Sequence, residues 1–126
     1  MTKKILIIGN PNVGKSVIFT ELTGIYVTVS NYPGTTVEIT SGNLLLNDQT
    51  IEVIDTPGLY SLVPITAEEK VTRQILFANP DCLVLQVVDA RNLTRMLPLT
   101  FQLIRAGFHL VLAVNMLDES RREGYH

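Results

Sequence analysis

A chain of 126 residues is the length of one ordinary domain, and with 46% hydrophobic residues it has ample material for a core. Its net charge of -2, with 10 Lys and Arg scattered rather than clustered, argues against a nucleic-acid-binding groove. No apolar run approaches the ~20 residues of a transmembrane helix and the N-terminus lacks a signal-peptide pattern, so the sequence reads as a soluble chain. The lone cysteine, Cys82, lies in an apolar run and is expected to pack in the core, which suits a reducing cytoplasm.

Residues 4–8, KILII, have the continuous apolar pattern of a parallel strand buried on both faces, and they lead into a glycine-rich turn. A helix is expected from Lys15, with Ile18, Phe19 and Leu22 on one face and Gly24 placed to end it. Residues 37–46 and 50–54 read as an antiparallel hairpin about the polar turn NDQ, and the second strand delivers Asp55 at its carboxyl end. Thr66 and Glu69 make a capping box for a helix that carries Val71, Ile75 and Leu76 and ends near Asn79 and Pro80. Residues 82–88 form another buried strand, residues 93–105 a helix closed by Gly107, and residues 109–114 a last strand. Pro98 inside that helix predicts a kink or a later start. Strands alternating with helices predict an α/β fold, a mostly parallel sheet covered on both faces with one antiparallel edge from the hairpin. No linker or repeat divides it, so residues 1–126 are read as one domain.

In such sheets ligands bind beyond the carboxyl ends of the strands, and three motifs lie at those places. GNPNVGKS, residues 9–16, matches GxxxxGK[ST] between a strand and a helix. Backbone N–H groups of such a loop surround phosphates, Lys15 would neutralise the β and γ oxygens, and the Ser16 hydroxyl would ligate Mg²⁺. Asp55, in IDTPG, fits the acidic element that holds Mg²⁺ through water, and the Gly58 N–H can meet the γ-phosphate; alone, the same stretch could be a type I turn. NMLD, residues 115–118, puts the Asp118 carboxylate where it can accept from guanine N1–H and the exocyclic amine, which selects GTP over ATP. Asn and Asp are also ordinary cap and turn residues. NYPGTTVE, residues 31–38, is placed to close over a γ-phosphate, and one threonine would complete the Mg²⁺ shell; spacing alone leaves Thr35 and Thr36 open. His109 and His126 have no partner motif and read as core-edge and tail residues.

With GNPNVGKS, NYPGTTVE, DTPGLYSL, VVDARNLTRMLPLTFQL and NMLDE in this order, the chain resembles the cytoplasmic G domain of the ferrous iron transport protein B family. The second and fourth stretches carry the most specificity, because a phosphate loop alone occurs in many unrelated NTPases. The resemblance implies a three-layer P-loop GTPase fold and a domain that binds GTP and hydrolyses it slowly on the cytoplasmic side of the membrane. It implies nucleotide contacts at Asn10, Pro11, Asn12, Val13, Gly14, Lys15, Ser16 and Val17, at Gly34, Thr35 and Thr36, at Asp55 and Gly58, and at Asn115, Met116 and Asp118. Catalysis falls to Lys15, Asn12, Thr36 and Gly58, Mg²⁺ to Ser16, Thr36 and Asp55, and K⁺ to Asn12. Met116 stands where many GTPases carry a lysine against the base. In the family the chain continues into a further strand, a guanine-holding loop and a closing helix, then a helical regulatory domain and a membrane region. This chain is therefore expected to be an incomplete G domain with a partly built guanine site and a sheet edge exposed for self-association.

The glutamine that orients the attacking water in Ras-like GTPases would follow the Asp-x-x-Gly element, and here that residue is Leu59. A K⁺ held by Asn12, with the mobile-loop backbone, is the expected substitute; the Tyr60 hydroxyl is the alternative. Two other readings fit the motifs: a soluble GTPase of ribosome or tRNA maturation, and a nucleotide-binding fragment without turnover.

Overall fold

The computed structural model describes residues 4–9 and 14–115. In chain order the elements are β1 (Lys4–Gly9), α1 (Lys15–Thr23), β2 (Val27–Asn31), β3 (Glu38–Leu46), β4 (Gln49–Asp55), α2 (Ala67–Ala78), β5 (Leu83–Asp89), a 3₁₀ turn (Ala90–Asn92), α3 (Leu93–Arg105) and β6 (His109–Asn115). The described strands form one sheet in the order β2-β3-β4-β1-β5-β6. β1 pairs in parallel with β4 and β5, and β5 with β6, whereas β3 runs antiparallel to both β4 and β2.

Alternation along β1 generates the three layers. Ile5 and Ile7 point to one face, where they pack with Phe19 of α1, Ile51, Val53 and Val87. Leu6 and Ile8 point to the other, joining Val71, Ile75 and Leu76 of α2 and Met96, Leu99 and Leu103 of α3. With both faces covered, a strand must be apolar at every position, which is why KILII shows no period of two. Cys82 is buried in the second of these clusters, and burial pushes its thiol up to about 11.

The helices begin and end where capping chemistry places them. Thr66 Oγ1 accepts from Glu69 N at 3.0 Å and the Glu69 carboxylate accepts from Thr66 N at 3.1 Å, the reciprocal pair the sequence led us to expect. α3 starts at Leu93 and accommodates Pro98 without a later start. The backbone donor that Pro98 lacks would have served Thr94, an exposed residue, so no buried carbonyl is orphaned. On the inner side, the fully buried Gln86 of β5 accepts from Thr100 Oγ1 at 2.6 Å and donates to the Met96 carbonyl, which pins α3 to the sheet.

Two details differ from the sequence reading. The hairpin loop is the two-residue Asn47-Asp48, both left-handed with φ of 51° and 63°, and Gln49 already belongs to β4. This turn matches the twist of the flanking strands. An additional strand, β2, pairs on the outer side of β3, so the antiparallel strand is internal to the sheet. Gly42 admits the neighbouring helix: a Cβ there would lie 2.8 Å from Thr23 Cβ at the end of α1. Among the described residues no helix is long and apolar enough to cross a membrane.

Candidate functional site

The carboxyl ends of β1, β4 and β6 meet at one side of the sheet, and α1 begins directly above them. Its N-cap is Gly14, left-handed at φ 88°, and among the described residues no side chain caps the helix start. Uncapped N–H groups and the positive end of the helix dipole therefore face the cleft, an arrangement suited to an anion. Lys15, the first helical residue, reaches across to β4: its Nζ donates to Asp55 Oδ1 and, at 2.7 Å, to the Thr56 carbonyl. Both side chains of this ion pair are mostly buried, at 12% and 16% exposure, so the ammonium is held in one place rather than ranging through solvent.

The turn after Asp55 is tied down on every side. Thr56 is buried and donates from its hydroxyl to the Ile7 carbonyl at 2.7 Å, which fixes the turn to β1. The Pro57 carbonyl accepts from Thr72 Oγ1 of α2 at 2.8 Å. Leu59 is fully buried among the α2 and α3 side chains. The residue in the place of the Ras-like glutamine thus faces the core and cannot reach the cleft.

Glu69, which the sequence marked only as a helix cap, also gathers this turn. Beyond Thr66 N, its carboxylate accepts from Ile65 N and from Tyr60 N, each at 3.3 Å. Burial pushes this carboxyl up, but the N–H groups of Thr66, Tyr60 and Ile65 outweigh that and hold it below the ordinary glutamate value. Farther along the same loop, Leu62 N donates to Gln102 Oε1 of α3 at 2.9 Å and the Leu62 carbonyl accepts from Arg73 Nε of α2 at 3.0 Å. Only the tertiary fold reveals these contacts, since their partners lie far apart in sequence.

Two adjoining cavities form the cleft. One, of about 620 Å³, is lined by Gly14, Lys15, Ser16, Gly58, Tyr60 and Glu68, with Val17 at its margin. The other, of about 650 Å³, is lined by Lys15, Thr36, Asp55, Thr56 and Glu68. The expected site residues Lys15, Ser16, Asp55, Gly58 and Thr36 therefore converge. Thr35 and Gly34 do not line these two cavities; with Thr36 they border a separate depression against Lys70, Val71 and Gln74 of α2. Asn115, implied as a nucleotide contact, lies against Gly14, where any Cβ would collide with its side-chain amide. Asn10, Pro11, Asn12, Val13, Met116 and Asp118 lie outside the described residues. Tyr60 is half exposed at the cleft.

Asp89, at the carboxyl end of β5 and opposite Asn115 in register, was not singled out by sequence reasoning. Its buried carboxylate accepts from Arg91 N at 2.9 Å and from the Arg91 guanidinium at 2.7 Å. The guanidinium bonds first, then the Arg91 N–H, hold this carboxyl below the ordinary aspartate range against the opposing effect of burial. A depressed folded pKa means that the contribution is present above the unfolded value of about 3.9 and is lost as pH falls through the folded one. Asp89→Asn is expected to lower stability at pH 7 by about 1 kcal/mol and to flatten the loss of stability between pH 4 and 2, as urea unfolding at each pH will show.

The ferrous iron transport protein B family model matches residues 3–126. The chain is 47% identical over 123 residues to an Fe(2+) transport protein A/Fe(2+) transporter FeoB fusion protein of Porphyromonas gingivalis, covering 96% of this chain and 14% of that one. It is 41% identical over 120 residues to an Fe(2+) transporter FeoB of Helicobacter pylori, covering 95% and 19%. It therefore spans less than a fifth of the length of these relatives. Among solved structures it resembles the G domain of the T. maritima FeoB iron transporter, with a TM-score of 0.85, 36% identity, and coverage of 97% of this chain and 77% of that one. It also resembles an S. thermophilus NFeoB mutant bound to GDP, with a TM-score of 0.83, 44% identity, and coverage of 100% and 49%. Sequence and fold agree across nearly the whole chain: it belongs to the ferrous iron transport protein B family, and the cleft above β1 and β4 lies within that family's G domain.

Proposed function

We propose that this chain binds GTP and hydrolyses it slowly, as the cytosolic nucleotide domain of a ferrous iron transporter. The observation that carries the reading is the Lys15 ammonium, fixed by Asp55 and the Thr56 carbonyl beside the uncapped start of α1. A cation held there, beside the N-terminus of α1 and the positive end of its dipole, is complementary to a polyphosphate. The GDP-bound relative supports guanine as the base. Asn115 and Asp118 are the residues proposed to read it, and the position of Asn115 against Gly14 supports a place for it beside the phosphate loop.

Ser16, Thr36 and Asp55 offer two hydroxyls and a carboxylate around the same cleft, a hard-oxygen donor set that fits Mg²⁺. When bound, Mg²⁺ would offset charge on the β and γ oxygens. Asn12 is proposed to hold K⁺, in place of the water-orienting glutamine and of an arginine finger, and Tyr60 is the alternative polar group at the cleft. Turnover is expected on the order of 10⁻⁴ to 10⁻² per second, as in GTPases without an external finger. In the whole protein the domain would sit at the cytosolic face of the membrane beside a helical regulatory domain and a membrane domain. Among the described strands β6 lies at one edge of the sheet with Val111 and Val114 half exposed, which is in keeping with the proposed self-association.

Calorimetric titration with GDP and ADP in Mg²⁺ buffer, followed by single-turnover phosphate release in matched K⁺ and Na⁺ buffers, tests the reading. GDP is expected to bind at least ~100-fold more tightly than ADP, and K⁺ to accelerate release. Equal affinities would overturn guanine recognition, and equal rates would remove K⁺ from the mechanism.

A further inference from the structure

The segment between β2 and β3 carries two adjacent threonines, of which Thr36 lines the cleft. Its internal bonding treats them differently. Tyr32 and Thr35 close a type II turn, Thr35 N donating to the Tyr32 carbonyl at 2.9 Å, with Pro33 at the second position and Gly34 at the third with φ 79°. Tyr32 N in turn donates to the Val37 carbonyl at 2.8 Å. Both feet of the loop rest on the core, Val37 buried and Tyr32 packed against the same cluster. Within this frame the Thr35 hydroxyl is used twice: it donates to the Tyr32 carbonyl at 2.9 Å and accepts from Val37 N at 3.1 Å. Thr36 is exposed between them and lines the cleft with Lys15 and Asp55.

From this geometry we infer that Thr35 is a positioning residue whose hydroxyl locks the loop in the one register that aims Thr36 at the cleft. The inference rests on the nucleotide reading above and deepens it. Side chains alternate along this stretch: Thr35 bonds into the loop, Thr36 faces out and Val37 enters the core. A slip by one residue would bring Thr35 to the cleft and pull Val37 out of the core. The two hydroxyl bonds and the Val37 anchor oppose that slip from both sides of Thr36. Because Thr36 would serve the γ-phosphate side, the lock matters for the triphosphate and hardly at all for the diphosphate.

Thr35→Val keeps the shape and the β-branch and removes both hydroxyl bonds, whereas Thr35→Ser restores them. Two measurements on wild type and both variants test the inference. In the nucleotide-free protein, the Val37 amide is expected to exchange with solvent about tenfold faster in Thr35→Val, with wild-type protection in Thr35→Ser. In Mg²⁺ buffer, a non-hydrolysable GTP analogue is expected to bind about tenfold more weakly to Thr35→Val and normally to Thr35→Ser, with GDP affinity within twofold in all three. Unchanged Val37 exchange in Thr35→Val, an equal loss for GDP and the analogue, or failure of serine to rescue would each overturn it. If wild type binds neither nucleotide, the nucleotide reading fails, and the exchange measurement still decides whether Thr35 orders the loop.

Discussion

Leu59→Gln, which installs the residue that Ras-like GTPases use to orient water, is expected to leave GTP hydrolysis no faster and to destabilise the protein by about 3 kcal/mol. Leu59 has no exposed surface and packs between the strand ends and the helices α2 and α3. A glutamine there would bury an amide in the same apolar cluster as Val71, Leu76 and Leu99. Leu59→Ala removes the same apolar contacts without adding a polar group and is expected to cost about 2–4 kcal/mol through the cavity it leaves. Urea unfolding of the three proteins gives the stabilities, and single-turnover hydrolysis gives the rates. A glutamine variant that folds as well as wild type and hydrolyses GTP faster would mean that the turn can rotate residue 59 into the cleft.

The second large effect is at Lys15. Lys15→Met is expected to weaken GTP and GDP binding about 100-fold or more, because the phosphates lose a charge-assisted donor in a site whose other donors are mainly neutral N–H groups. The substitution also strands Asp55, whose carboxylate is mostly buried and loses its ammonium partner. Lys15→Met with Asp55→Asn is therefore expected to regain stability relative to the single variant but not affinity. Thermal unfolding and nucleotide titration in parallel distinguish the two jobs. Recovery of binding in the double variant would show that the single variant failed through folding alone.

Much of the architecture was legible because each element carries its own local signal. The apolar run of β1, the capping box of α2 and the glycine after α1 depend on neighbours within a few residues, and the structure shows all three. β2 was passed over although the run IYVTV is rich in β-branched and aromatic residues. Val27 to Ser30 alternate apolar and polar residues, but the run is only five residues long and every one of them is exposed, so its order comes from pairing with β3 rather than from burial. The candidate site divides in the same way. Lys15, Ser16 and Asp55 were readable from motif spacing, whereas spacing left Thr35 and Thr36 open, the resemblance pointed to Thr36, and the loop's use of the Thr35 hydroxyl supplies a physical reason. The second task of Glu69, gathering Tyr60 N and Ile65 N, arises because the turn folds back over the start of α2. Leu59 posed the question of the missing glutamine, and burial is a property that the motif does not encode.

The contact between Gly14 and Asn115 has a consequence for the order of assembly. Gly14 is synthesised well before β5 and β6, yet the residue that packs on it ends β6, and β6 can join only after β5 has taken its place beside β1. Parallel pairings of this kind close long stretches of chain and form late. A nascent chain can therefore build the hairpin and α1 early, while the contact that braces Gly14 forms only when nearly all of the described sequence has been synthesised. On the nucleotide reading proposed above, topology delays the braced cleft, and with it GTP capture, until the sheet is assembled.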